Sequence, residues 1–198
     1  EMVIEVSLKT AAGTAALVYD ETWGGLPTLK GTKDKDADFG NGWYNDHHYH
    51  YGYTLYAIAV AVRFDPSFGK RLKPYWLSLA YDIANPLAKG EQGASGPASP
   101  HFPLARHKDF YDGHSWASGL FDQANSKSQE SVSEATNAYY GAALLGRSLG
   151  DSTLQDFGRL LLAMETSAAQ LYWQVPPDSV VYPSSFSGAN AMVGVVGA

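Results

Sequence analysis

The sequence contains no cysteine, which excludes a disulfide framework and a thiolate nucleophile. It also lacks runs of lysine or arginine, and its net charge is -6 with a pI near 5.4. A protein that grips phosphate backbones needs the opposite charge, so we expect no nucleic acid partner. Long apolar runs are missing as well, so we expect no membrane partner.

The 198 residues are 45% hydrophobic, enough for one domain with a sizeable core. The N-terminal "EMVIEVSLKT" lacks the basic region and apolar segment of a signal peptide. The sequence begins without an initiator methionine and ends in the apolar "AMVGVVGA". We therefore expect a fragment of a longer protein.

Five helices separated by long loops are predicted from apolar periodicity and from start and stop residues. In chain order they are a buried helix over 46–62, a helix in "KPYWLSLAYDIANP" stopped by Asn85-Pro86, a short helix after the turn at Asp112-Gly113, and two helices after Ser-x-x-Gln capping boxes at Ser126–Gln129 and Ser152–Gln155. The alternation of apolar and polar residues over 2–8 indicates a short strand or a helix tail. Residues 11–42 are interpreted as a long structured loop. With no βαβ or hairpin pattern, we expect an all-α chain.

The stretch "YNDHHYHYGY" (44–53) places Asp46 among three histidines and four tyrosines at the predicted start of the first helix. An aspartate in this position usually caps the helix by accepting backbone N–H groups. If Asn45 caps instead, Asp46 is free to point into an aromatic pocket. Burial and nearby carboxylates would then raise its pKa toward that of a general acid.

Glu130 and Glu134 in "QESVSEA" are four residues apart, so they would share one helix face and repel each other. Glu130 falls in the predicted first turn, where the helix dipole favours the ionised carboxylate that a general base needs. The alternative is a solvated acidic helix start, since first-turn glutamates are common for the same reason.

The histidine cluster raises the possibility of a zinc site at His47, His48 and His50. Adjacent histidines on a helix point about 100° apart, and only His47 and His50 have the spacing of ligands on one helix. We therefore expect no metal and no cofactor. The interpretation we prefer is hydrogen bonding to ligand hydroxyls or to Asp46, with some histidines in the core.

Aromatic residues concentrate in the same stretches, and most are expected in the core. Those near the carboxylates, Tyr44, His48 and Trp116, are predicted to form a sugar-facing surface. Aromatics, carboxylates and histidines without a basic patch or a glycine-rich phosphate loop favour a carbohydrate groove over a nucleotide site.

Four blocks of unusual composition, in the order "LVYDETWGG", "DFGNGWYNDHHYHYGY", "DFYDGHSWASGLF" and "QESVSEATNAYYG", closely resemble the signature blocks of glycoside hydrolase family 81, the endo-β-1,3-glucanases. The resemblance spans roughly residues 17 to 175. It implies an (α/α)6 toroid catalytic domain, of which residues 1–198 are a part. The N-terminal β-sandwich and the closing C-terminal helices are then expected in the remainder of the parent chain.

The resemblance also implies hydrolysis of internal β-1,3-glucosidic bonds with inversion, by one Asp and one Glu without a metal. It implies that Asp46 is the general acid and that the base is Glu130 or Glu134. We favour Glu130 as base, with Glu134 positioning water or sugar. The residues implied to bind the β-1,3-glucan or to orient the acid are Asp20, Trp23, His48, His50, His114, Trp116 and Tyr140.

Two further hypotheses stay open at this point. One is a fragment that binds β-glucan without cleaving it, and the other is a metalloenzyme built on the histidines. The family and its polymeric substrate imply an extracellular or cell-wall location.

Overall fold

The computed structural model describes residues 6–10, 13–89, 95–121 and 127–197. The helices are α1 (His47–Phe64), α2 (Pro66–Ile83), α3 (Val132–Leu149), α4 (Ser152–Tyr172) and the single-turn α5 (Ser184–Ser187). The strands are β1 (Val6–Thr10), β2 (Gly13–Leu17), β3 (Leu87–Lys89), β4 (Ser95–Pro97), β5 (Ser128–Gln129) and β6 (Val196–Gly197). They form the antiparallel pairs β1–β2, β3–β4 and β5–β6. Helices dominate, which confirms the all-α class. In the described ranges, no helix is long and apolar enough to cross a membrane.

The N-terminal part differs from the prediction in its strands. Residues 6–8 of the alternating run belong to β1, which resolves the choice in favour of a strand, and residues 1–5 lie outside the described ranges. The predicted long loop begins with β2, which pairs with β1. The remainder, as far as a 3-10 segment at Ala37–Trp43, is the structured loop that we expected.

The Asp65-Pro66 pair ends the first helix, α1, as the sequence predicts, and it also begins α2, a start that the sequence analysis missed. The carboxylate of Asp65 accepts the backbone N–H groups of Ser67 and Phe68, and Pro66 takes the first helical position. Proline suits that position because its missing N–H would have no partner in the helix. Helix α2 therefore begins at Pro66 rather than at Lys73.

Both predicted capping boxes are wrong. Helix α3 begins at Val132 with Ser131 as the preceding cap residue, and Ser126 lies outside the described residues. Helix α4 is capped by Asp151, whose carboxylate accepts the N–H of Leu154. The Ser-x-x-Gln pattern occurs at both places, but Ser131 makes no side-chain capping bond and at α4 the cap is Asp151, one residue before Ser152.

Helix α1 packs chiefly against α3, and α3 packs against α4. The fully buried leucines Leu55, Leu145 and Leu161 belong to this core. The two helices approach closely because Gly52 faces Ala138: a Cβ on Gly52 would lie 2.5 Å from the Ala138 Cα. This packing brings the N-terminal ends of α1 and α3 together.

The segment that follows the Asp112-Gly113 turn is not the short helix that we predicted. Gly113 adopts a positive φ of 84°, as such a turn requires, but residues 114–121 are irregular. Their backbone groups bond to other segments: Trp116 N donates to His107 O and Ala117 N donates to Ser128 O, at 2.9 and 2.8 Å. Tertiary partners therefore replace the hydrogen bonds of a helix here.

Candidate active site

Asp46 stands immediately before α1 in a left-handed conformation, with φ 59°. Its side chain makes no capping bond to the helix. Asn45 does not cap either, because its Oδ1 accepts the N–H of Gly119 at 2.8 Å. The Asp46 N–H donates to the Ala117 carbonyl at 3.0 Å. Its carboxyl group is thus left available for another role, although Asn45 is not the cap that we predicted.

The Asp46 carboxyl group lies in a site that favours its protonated form. Its Oδ1 is buried, and no hydrogen-bond partner lies within reach among the described residues. Burial, together with the charges of Glu130 and Glu134, raises the pKa of Asp46 to about 7, while the charge of His47 acts in the opposite direction. A carboxyl group of this kind keeps its proton near neutral pH, and a buried oxygen without a partner is a place for a ligand atom.

Glu130 and Glu134 do not stack on one helix face, so that prediction is wrong. Glu130 is exposed in the link between β5 and α3, whereas Glu134 lies in the first turn of α3. The dipole argument therefore applies to Glu134 rather than to Glu130. Glu134 Oε1 accepts the hydroxyl of Tyr53 at 3.2 Å. Both glutamates are nevertheless close enough to Asp46 to raise its pKa.

The chain leading to Asp46 is strained. Asp38, Phe39, Tyr44 and Asp46 all have positive φ, which costs about 1–3 kcal/mol for each such residue. Asp38 is held by the Thr28 hydroxyl, which donates to its carboxylate at 2.7 Å. Conformations of this kind persist where surrounding contacts enforce them, and they cluster at functional sites.

Phe39 and Tyr53 join this site although the sequence analysis missed them. Phe39 is 79% exposed and its ring meets the half-buried His50 edge-on, with centroids 5.7 Å apart. Tyr53 is also exposed and bonds to Glu134. Tyr53 could have been found from its position seven residues, about two helical turns, after Asp46 on α1. For Phe39, no periodic pattern marks its exposure.

Four residues predicted to bind sugar are instead buried, and this corrects the prediction: Tyr44, His48, His114 and Trp116. The Tyr44 ring lies under Arg106 at 4.2 Å, and its hydroxyl donates to Asp20 Oδ2 at 2.8 Å. Tyr44 therefore has no free face for a sugar, while half-buried Asp20 supports the loop through this bond.

The buried histidines lie in the core, and the Nδ1 atoms of His48 and His107 have no hydrogen-bond partner among the described residues. His48 stacks on His107, with ring centroids 4.3 Å apart, and burial lowers its pKa well below the ordinary value. His114 packs edge-on against Trp116 and Trp173. The Trp116 Nε1 donates to Asp109 Oδ2 at 3.2 Å. A side chain with an aromatic ring and one polar atom fits a protein core, where the polar atom needs one hydrogen-bond partner, as well as it fits a sugar-binding groove. Composition alone therefore did not distinguish core residues from groove residues.

The other predicted substrate residues keep accessible surface. Trp23 is 54% exposed and Tyr140 is 46% exposed, whereas Tyr139 is fully buried. This confirms that the two neighbouring tyrosines point differently. Asp20 and Trp23 line an open cleft of about 720 Å³, together with Trp43.

A metal site does not form at the histidine cluster. His47 places Nδ1 2.6 Å from Asp82 Oδ2 and Nε2 2.8 Å from the Asn41 carbonyl oxygen, so both of its nitrogens are occupied. Across the ranges that the structure describes, no three His, Cys, Asp or Glu side chains lie close enough together to hold a metal ion.

Residues 4–197 match the family model described as the glycosyl hydrolase family 81 C-terminal domain. The chain belongs to glycosyl hydrolase family 81. It is 38% identical over 193 residues to a glucan endo-1,3-beta-D-glucosidase of Glycine max, covering 98% of this chain and 28% of that protein. It is also 38% identical over 182 residues to the primary septum glucan endo-1,3-beta-D-glucosidase of Schizosaccharomyces pombe, covering 90% of this chain and 17% of that protein.

A solved structure shows the same likeness. A glycoside hydrolase family 81 protein from Clostridium thermocellum, in a glutamate-to-alanine mutant form, matches with a TM-score of 0.72 and 32% identity. The match covers 91% of this chain and 23% of that one. This family 81 chain therefore spans less than a third of the length of these relatives.

Proposed function

We propose that the natural protein carrying this sequence is an inverting endo-β-1,3-glucanase and that this region supplies its general acid and general base. The observation that carries the proposal is the Asp46 carboxyl group, with its pKa near 7 and a buried oxygen without a protein partner among the described residues, beside Glu130 and Glu134. The names of the Glycine max and Schizosaccharomyces pombe relatives support the substrate class.

In the proposed reaction, Asp46 donates its proton to the glycosidic oxygen as the bond between that oxygen and the anomeric carbon breaks. A water molecule adds its oxygen to the opposite face of the anomeric carbon, and Glu130 takes the proton that this water loses. One water is consumed and the new reducing end has the inverted, α configuration. Such a reaction needs carboxyl groups roughly 6.5–9.5 Å apart, so that the water fits between them.

We assign the base to Glu130 because it is exposed directly after β5, where its carboxylate is open to a water molecule and to the substrate. Glu134 instead accepts a hydrogen bond from the Tyr53 hydroxyl, which occupies one of its carboxylate oxygens. Its position in the first turn of α3, beside Tyr53, suits a group that orients the water or a sugar hydroxyl.

Exposed aromatic rings supply surfaces for the glucan chain. We assign this role to Trp23, Phe39, Tyr53 and Tyr140, whose rings have accessible faces for the C–H groups of a pyranose. Half-buried His50 lies against Phe39 and is placed to bond a hydroxyl. We further propose that the remainder of the parent chain completes the toroid and that the protein acts outside the cell or in the cell wall.

The experiment compares laminarin hydrolysis by the natural protein with that by its Asp46→Asn variant. We expect the variant to lose activity by about 10²- to 10⁴-fold, the usual contribution of a general acid. Proton NMR of the first products must show the α-anomer. Normal hydrolysis by the variant, or a β-anomer as first product, would overturn the proposal. Laminarin retention in affinity gels without hydrolysis would favour the binding-only function instead.

A further inference from the structure

Gln129, the last residue of β5, is fully buried and all of its side-chain polar positions are used. Its Oε1 accepts hydrogen bonds from the Tyr49 hydroxyl and from the Ser131 N–H, the latter at 2.9 Å. Its Nε2 donates to Ser115 Oγ at 2.7 Å and to Glu165 Oε1 at 3.3 Å. An amide has two donors and two acceptor sites, so the Gln129 side chain has one fixed position and orientation.

Behind Gln129 lies a buried ion pair. Lys108 Nζ donates to Glu165 Oε2 at 2.7 Å, and neither side chain is exposed. Lys108 also donates to the Leu161 carbonyl at 3.2 Å and lies 4.9 Å from the centre of the Tyr139 ring. A buried ion pair contributes little net stability compared with apolar residues of the same size. What it does provide is a rigid polar anchor for the groups bonded to it.

The same network reaches the helix that follows the acid. His48 and Tyr49 lie in the first turn of α1, directly after Asp46. His48 Nε2 contacts Ser115 Oγ at 3.0 Å, and Tyr49 bonds to Gln129. The buried side chains thus connect the start of α1 to the end of β5.

We propose that Gln129 is a positioning residue that fixes Glu130 relative to Asp46, with the ion pair of Lys108 and Glu165 as its anchor. Glu130 is exposed and follows Gln129 directly in the chain. The buried hydrogen bonds of Gln129 therefore fix the backbone position of Glu130. The position of the base relative to the reacting water must be held closely, because a displacement of about 1 Å can lower the rate roughly 100-fold. This inference rests on the proposed glucanase function.

The first test uses two tyrosines of α1 in the natural protein. Tyr49→Phe removes the hydroxyl that bonds to Gln129. Tyr51→Phe is the matched control, because the Tyr51 hydroxyl is also buried but donates to the Leu26 carbonyl, at 2.5 Å. We expect Tyr49→Phe to lower kcat on laminarin by roughly tenfold with KM nearly unchanged, and Tyr51→Phe to leave both nearly unchanged.

The second test replaces the amide itself. Gln129→Met keeps the length of the side chain and removes its hydrogen bonds, so we expect kcat to fall by about 100-fold. Asn85→Leu is the control for loss of a buried amide, since the partners of the Asn85 side chain among the described residues are the backbone groups of Ser99 and Phe102. The loss in Gln129→Met must persist on a laminari-oligosaccharide with a dinitrophenyl leaving group. Dinitrophenolate leaves without taking up a proton, so the rate on this substrate depends on the general base and its water and not on the general acid.

The inference is overturned if Tyr49→Phe and Tyr51→Phe have the same kcat, or if folded Gln129→Met retains normal kcat. A purely structural role would lower kcat in Asn85→Leu as much as in Gln129→Met. If Gln129→Met does not fold, the tyrosine pair decides. Failure of the proposed function is seen separately, because the unmodified protein would then release no sugar from laminarin.

Discussion

His47 Nδ1 lies 2.6 Å from Asp82 Oδ2, and neither side chain is exposed. The other ring nitrogen, Nε2, lies 2.8 Å from the Asn41 carbonyl oxygen. A carboxylate and a carbonyl both accept hydrogen bonds, so His47 faces an acceptor at each ring nitrogen. Its buried contact with the Asp82 carboxylate ties the first residue of α1 to α2, next to Asp46.

Replacing Asp82 by asparagine should destabilise the natural protein by about 3–5 kcal/mol, because it removes the buried carboxylate that His47 Nδ1 contacts at 2.6 Å. Arg106 also loses a carboxylate at 3.4 Å. Urea unfolding at pH 7 measures the change. The matched control is Asp156→Asn, which breaks an exposed pair with Arg159 and should leave the unfolding midpoint nearly unchanged. Equal midpoints for the two variants would contradict the prediction.

The cost of Asp82→Asn should depend on pH. Burial alone would raise the pKa of Asp82, but the charge and hydrogen bond of His47, with Arg106, lower it to about 2, below the ordinary 3.8. A lowered folded-state pKa means that the stabilisation is complete above about pH 4 and is lost as the pH falls toward 2. The difference in unfolding free energy between protein and variant should therefore shrink below pH 4, and a constant difference would exclude this ion pair as its source.

The activity of the natural protein on laminarin should fall as the pH rises through about 7. Asp46 must be protonated to donate its proton, and burial with two neighbouring glutamates raises its pKa to about 7. An ordinary aspartate would lose its proton near pH 4 and would show no such limb near neutrality. The dinitrophenyl substrate is the control, because its leaving group needs no acid. If the same limb appears with both substrates, another group causes it.

Alanine variants of the two glutamates should separate their roles. We expect Glu130→Ala to lose about 10²- to 10⁴-fold in kcat, as for loss of a general base. Sodium azide should restore turnover in this variant, since the azide anion attacks the anomeric carbon without losing a proton and gives the α-glycosyl azide. Glu134→Ala should raise KM and form no azide product. Azide rescue of Glu134→Ala alone would exchange the two assignments.

The burial and the raised pKa of Asp46 were predictable from the sequence because its local surroundings carry the information. Asp46 stands at the start of a long apolar helix among aromatic residues, and that context predicted both its burial and its raised pKa. The position of Glu130 was not predictable in the same way. Gln129 looked like part of a capping box, yet its side chain is held by Tyr49 and Ser115, which are remote in sequence.

The exposure of individual aromatic side chains could not be predicted either. Tyr44 and Tyr53 stand in the same ten-residue stretch, yet Tyr44 is buried under Arg106 and Tyr53 is exposed beside Glu134. Only the left-handed turn at Tyr44 and the tertiary contact with Arg106 separate them. Neither leaves a periodic signal in the sequence, because both depend on residues that fold in from elsewhere.

Chelation should leave the activity intact. Both nitrogens of His47 already have hydrogen-bond partners, and His48 is buried with its Nε2 against Ser115. A metal would have to displace these bonds and pull the start of α1 away from its partners, so we expect kcat/KM after EDTA treatment to stay within about twofold. Re-adding zinc to the treated protein is the control. Loss of activity with EDTA and its return with zinc would contradict the two-carboxylate mechanism, because the histidines would then be metal ligands.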